Sequence, residues 1–138
     1  MVVNLISPRS KKISLYSDLY KDLTQNPTNG DLALRRDEES VKESIKNLIL
    51  TDKGERLMQP LIGGNIRAML FENITPAVLK MIEEQIFITI EEYEPRAELI
   101  DVEVKSTIDD NKVEVTIRFY ITNIAQPIQL KVFLERIR

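Results

Sequence analysis

Five carboxylates, Glu83, Glu84, Glu91, Glu92 and Glu94, crowd one short stretch, and Arg96 follows the last of them across Pro95. Paired carboxylates are the machinery of glycoside hydrolysis, which needs two of them about 5–9.5 Å apart with one kept protonated. Here the acids fall on the expected polar face of a helix, where a carboxylate stays ionised and cannot act as an acid. Glu94-Pro95-Arg96 offers different chemistry. Proline pushes the residue before it out of helical geometry. Residues i and i+2 of an extended segment point to one side, so Glu94 and Arg96 are expected to project together from a rigid corner. Arg96 could then grip a carboxylate or helix C-terminal carbonyls, and Glu94 a base or a helix N-terminus. The plainer alternative is a helix stop with a local salt bridge, worth little if exposed.

The chain has no His and no Cys. That excludes Ser-His-Asp and Cys-His catalysis, imidazole and thiolate metal ligands, and disulfides. Asp109-Asp110-Asn111 lacks the ligand spacing of a calcium loop, so no metal or cofactor is expected. The 19 basic and 22 acidic residues leave a formal charge of −3. No basic stripe interleaves with aromatics, so no nucleic-acid partner is expected. Charge is uneven: residues 1–36 carry six basic and three acidic groups, residues 37–96 seven and twelve, and residues 97–138 six and seven. No window approaches the roughly 18 apolar residues of a membrane span, so no membrane partner is expected either. The start, MVVNLISPRSKK, puts apolar residues before basic ones, the reverse of a signal peptide. A soluble protein made in the cytoplasm is expected.

The elements that must position these residues follow from periodicity. The 138 residues are 43% hydrophobic and 30% charged, enough for one core without staples. Residues 1–36, punctuated by Pro8, Pro27 and Gly30, read as an arm packed on the domain, with a short strand at 13–16. Residues 37–138 read as a single domain. A helix is expected from Asp37, which joins Glu38 and Glu39 at the positive end of the dipole. Val41, Ile45, Leu48 and Ile49 give it one apolar face, and the run ending in Gly54 stops it. Residues 55–64 form an ordered loop, more apolar than a solvent loop should be. Asn65 is placed to cap a short helix carrying Ile66, Leu70 and Phe71. Thr75-Pro76 starts a second long helix, with Leu79, Ile82, Ile86 and Ile90 on its stripe.

The last third alternates. Ile100, Val102 and Val104 form one apolar row, and Val113, Val115, Ile117, Phe119 and Ile121 a second. After a break at Asn123–Pro127 come Ile128, Leu130, Val132 and Leu134. The fold class is α+β: two main helices packed on a three-stranded antiparallel meander, with an extended N-terminal arm. The last strand is expected to have an uncovered edge, with Phe133 and Ile137 on its wet face. Such an edge is a docking site or a liability.

Three segments carry a family resemblance: Ile-Lys-Asn-Leu-Ile-Leu-Thr-Asp-Lys-Gly-Glu-Arg (45–56), Leu-Phe-Glu-Asn-Ile-Thr-Pro (70–76) and Tyr-Glu-Pro-Arg (93–96). With Leu-Tyr-Ser-Asp-Leu (15–19) ahead of them, they resemble the contractile-tail baseplate wedge family. It includes the sheath initiator of T-even phages and a type VI secretion subunit. Pro60-Leu61-Ile62-Gly63 departs from the family's Pro-x-Phe-Gly loop. The resemblance implies a non-enzymatic structural subunit, present in multiple copies in a six-fold ring of the virion's tail baseplate. It implies that Glu94, Pro95 and Arg96 bind the wedge's helical core bundle. It further implies that the sheath-facing edge strand, with Ile128, Leu130, Val132, Phe133 and Leu134, nucleates the tail sheath by strand donation. Implied partners are the core-bundle proteins, the sheath protein, and central hub or tube proteins. The alternatives are the equivalent subunit of a type VI or other cellular injection system, and a lysozyme-like peptidoglycan hydrolase.

Overall fold

A computed structural model describes residues 14–107 and 112–135. Ile13, the Asp109-Asp110-Asn111 turn and Ile137 lie outside the described residues. The elements run β1 (Ser17–Leu19), β2 (Leu34–Arg36), α1 (Glu38–Leu50), α2 (Ile66–Leu70), α3 (Pro76–Tyr93), β3 (Ala97–Thr107), β4 (Lys112–Ile121) and β5 (Ile124–Glu135). The chain divides into two compact units between Asp37 and Glu38.

In the first unit the extended chain doubles back on itself. β1 pairs antiparallel with β2, Asp18 opposite Arg35, and an isolated bridge joins Gln25 to Leu32. The turn closes through the Gly30 N–H, which donates to the Asn26 carbonyl at 2.9 Å. Gly30 has φ +73°, cheap only for glycine. The strand therefore sits at 17–19, where β2 supplies a partner, and of the expected 13–16 the described residues 14–16 lie outside it. Asp37 is not spent on the helix dipole alone. Its carboxylate accepts the N–H groups of Leu15 and Tyr16 at 2.7 and 3.2 Å. Glu38 and Glu39 supply the acidic first turn of α1.

In the second unit, the helix stripes bury most of the residues that their spacing selects, with Leu79 half-buried. Val41, Ile45, Leu48 and Ile49 of α1 are buried, as are Ile82, Ile86 and Ile90 of α3. The start of α3 is capped as expected: the Thr75 hydroxyl accepts the Val78 N–H at 3.3 Å, and Pro76 opens the helix. Asn65 behaves differently. It sits before α2 in left-handed geometry, with no hydrogen bond from its side chain to the helix. Its role is to turn the chain, which asparagine tolerates, and not to cap.

The sheet has the order β3-β4-β5, all antiparallel. One face buries Val102 from β3, Val113, Val115, Ile117, Phe119 and Ile121 from β4, and Ile128, Val132 and Leu134 from β5. α3 packs against β3, and α1 against α3 and β5. Two details depart from simple alternation. Ile100 is exposed, because a bulge between Leu99 and Asp101 shifts the phase of β3 by one residue. The break expected at Asn123–Pro127 is smaller than that. β5 resumes at Ile124 after a tight turn in which Asn123 has φ +72°. A register shift between the Phe119–Ile128 and Ile121–Ile124 pairs then absorbs the extra residues around Pro127. Proline is tolerated there because β5 is an edge strand.

Candidate functional site

The Glu94-Pro95-Arg96 corner is a turn and not an extended segment. The Ala97 N–H donates to the Glu94 carbonyl at 3.1 Å, with Pro95 in the turn position that suits its fixed φ. The Arg96 carbonyl accepts the Thr122 N–H at 3.0 Å, which ties the corner to the β4–β5 hairpin. The two charged side chains do share a side, but they face each other. Arg96 Nε donates to Glu94 Oε1 at 2.7 Å and Nη2 to Oε2 at 3.0 Å, a two-pronged grip. Arg96 Nη1 lies 3.5 Å from the hydroxyl of buried Ser40 on α1. The Glu94 side chain is only 3% exposed and that of Arg96 is 26% exposed. The expectation that both project outward is thus corrected for Glu94. Burial of a carboxylate requires a charged partner, and Arg96 is close enough to be it. Glu94 holds the guanidinium flat and fixed, while Pro95 and one side of Arg96 reach the surface.

The edge strand divides similarly. Ile128, Val132 and Leu134 are buried in the core, Leu130 is half-buried, and Phe133 is 62% exposed. Any strand added along β5 would meet backbone groups and the Phe133 ring, while the aliphatic residues keep the strand on its sheet. Among the described residues, no strand pairs with the outer edge of β5. Lys131 reaches across to Glu114 at 2.9 Å on the outer face.

The carboxylates on and just after α3 are exposed or engaged by cations. Glu83 is engaged by Lys80 at 2.6 Å and Glu94 by Arg96. Glu84, Glu91 and Glu92 are exposed. An open groove beside Lys80, Glu83, Glu84, Phe87, Ile88 and Ile100 runs between α3 and β3, and at its side Asp101 is paired with Arg118. A general acid needs an apolar, desolvated setting, and these acids sit in water or against cations.

One surface was missed at the residue level. In the loop between α1 and α2, Leu57 is 97% and Met58 95% exposed. The signal was the apolar content of residues 55–64, and the structure leaves Leu57, Met58 and Leu61 of that loop in solvent. Among the described residues, no group of His, Cys, Asp or Glu could hold a metal, and no helix is long and apolar enough to cross a membrane.

A small α+β domain with a clamped corner, an open strand edge and an apolar loop has the surfaces of an assembly component. Comparison with known proteins gives the same class. The family model for baseplate wedge protein gp25 matches residues 35–125. Baseplate wedge protein gp25 of Enterobacteria phage T4 is 34% identical over 107 residues, which is 78% of this chain and 80% of the phage protein. The chain belongs to the baseplate wedge protein gp25 family. Among solved structures, a Geobacter sulfurreducens protein described as a tail lysozyme is similar at a TM-score of 0.68 and 25% identity, covering 73% of this chain and 92% of that one. A chain of the anti-feeding prophage baseplate has a TM-score of 0.61 at 24% identity, covering 89% and 87%. A chain of the type VI secretion baseplate complex has a TM-score of 0.53 at 15% identity, covering 70% and 92%. The last two share the fold.

Proposed function

We propose that this protein is a structural subunit of a contractile phage tail baseplate, in the virion. It would join the helical core bundle of the wedge through the Glu94-Pro95-Arg96 corner. It would start the tail sheath through the outer edge of β5, and be repeated in a six-fold ring around the hub or tube. The observation that carries this reading is the clamped corner within a chain of this family. Buried Glu94 fixes the Arg96 guanidinium, so part of Arg96 and the exposed Pro95 are presented without the entropy cost of freezing a long side chain on binding. The phage relative, aligned over most of its length, favours a phage tail over a cellular injection system. The role is non-enzymatic, although the Geobacter sulfurreducens chain is described as a tail lysozyme. Absence of turbidity clearing on peptidoglycan by the pure protein is the expected result.

Arg96→Lys tests the corner. Lysine keeps the charge that Glu94 needs but loses the planar fork. Folded Arg96→Lys protein, verified by circular dichroism, should recover wedge partners in co-purification at least about tenfold less well, the loss of one good charged contact. Co-purification at the unsubstituted level would remove the corner from the reading.

A further inference from the structure

We propose that the loop between α1 and α2 is a docking knob. Its Leu57 and Met58 side chains enter an apolar cleft rimmed by carboxylates on another baseplate protein. This rests on the wedge reading above and names the partner chemistry of a surface that reading leaves unused.

Leu57 and Met58 are almost wholly exposed, and Leu61 beside them is 74% exposed. Exposed apolar side chains scattered singly need no explanation, but three within five residues of one loop form a patch. The loop is also rigid. The Gly54 N–H donates to the Pro60 carbonyl at 2.8 Å, closing the tip. Gln59 N–H donates to Arg56 at 3.2 Å, Ile62 N–H to Gln59 at 3.2 Å, and Gly64 N–H to Thr51 at 3.3 Å. The Glu55 carboxylate accepts the Asp52 N–H at 3.0 Å. The Tyr93 hydroxyl donates to the Leu61 carbonyl at 3.2 Å, fastening the loop to the last turn of α3 next to the Glu94 corner. Gly63, at φ +130°, has its Cβ position only 2.4 Å from the Thr51 carbonyl oxygen, so the base tolerates no side chain. A flexible apolar loop would collapse onto its own domain. This one is held away from it, and a preordered apolar tip loses little entropy on binding.

Charge selects the partner. Of the loop's two acids, Asp52 faces Arg67 at 3.7 Å, while Glu55 is exposed and accepts only the neutral Asp52 N–H. Lys53 and Arg56 have no ion-pair partner among the described residues. The tip therefore offers apolar contact flanked by two cations, Lys53 and Arg56, against one exposed carboxylate, Glu55, a net positive flank that a carboxylate rim complements. Two cations are fewer than the cluster that recruits a protein to anionic lipid or a polyanion. A protein cleft is the occupant.

The test places a benzoylphenylalanine photo-crosslinker at position 57 of the full chain, made together with the other proteins of its tail. Purified baseplates are irradiated and the crosslinked peptides sequenced by mass spectrometry. The expected product joins position 57 to apolar residues flanked by Asp or Glu on a different baseplate protein. In parallel, Leu57→Asp/Met58→Asp should melt like the unsubstituted protein, because neither side chain is packed, yet enter baseplates at least about tenfold less well. Crosslinks to a second copy of this chain, to lipid or to nucleic acid would overturn the proposal. So would incorporation of the double variant at the unsubstituted level, or labelled baseplates without any crosslink. If the unsubstituted chain does not enter baseplates at all, the wedge reading itself fails, and the two failures are told apart.

Discussion

In the proposed wedge role, Arg96 carries two duties that pull in different directions. It neutralises a buried carboxylate, and its side chain stays 26% exposed. Removing it does more than erase a contact. Arg96→Ala leaves Glu94 buried without its gripping cation, at a cost of about 1–3 kcal/mol once partial exposure of the pair is allowed for. A thermal melt should fall by several degrees, roughly 4–8 °C per kcal/mol for a unit of this size. An unchanged melting temperature would mean that Glu94 finds water or another donor. Arg96→Lys is for that reason the cleaner probe of binding. Tyr93 makes a second prediction. Partial burial, and then the neighbouring Glu92 carboxylate, raise its phenol above the ordinary value near 10. A raised value in the folded state means the neutral phenol is the favoured form. Its stabilising effect is complete below the unfolded value and fades as pH climbs through the folded one. The stability gap between the unsubstituted protein and Tyr93→Phe should then narrow between pH 9 and pH 11 in denaturant titrations. A gap that stays constant would show that the phenol donates nothing to the loop.

At the scale of elements, the α3 cap and the loop base are the points to press. Thr75→Ala removes the acceptor for the Val78 N–H and should cost about 1 kcal/mol in a denaturant titration, without changing the fold. Gly63→Ala should cost about 1–3 kcal/mol and shift the loop, because the new methyl meets the Thr51 carbonyl at positive φ. The sequence exposed those elements whose signals are local and strong. Thr75-Pro76 announces α3, and strict alternation over Val113–Ile121 announces β4, where Val113, Val115, Ile117, Phe119 and Ile121 are all buried. What it hid were long-range matters. The bulge at Leu99–Asp101 turns Ile100 outward, and nothing in residues 97–105 alone distinguishes that phase from the regular one. Pro127 looks like a terminator, yet lies within β5 because the strand is at the edge. The corner was visible as a motif but not in its geometry. Whether Glu94 points to solvent or to Arg96 depends on Ser40 and the β4–β5 hairpin, both distant in sequence.

For the whole molecule, the order β3-β4-β5 leaves β5 at an edge, one residue row away from the core centre at Ile117. Leu130 pairs with Ile117 in that row. Leu130→Pro should block growth of sheath from baseplates that contain it, with circular dichroism showing that the helices and the rest of the sheet persist. Sheath that still polymerises would rule out strand donation along β5. The family match ends at residue 125, so β5 lies almost wholly beyond it, and this edge has to be tested by experiment in its own right.

If β5 docks a partner strand as proposed, its edge is open to any other strand until that partner arrives. Lys131 and Glu135 on β5, and the irregularity around Pro127, make β5 a poor template for a second copy of itself. Lys131→Val would remove one guard and leave Glu114 without its cross-strand partner. Solutions of that variant should scatter light and bind amyloid dyes within a concentration range where the unsubstituted protein stays clear. A cell making this protein would then gain from making it in step with its partners, since surplus subunit would be the form most exposed to misassociation.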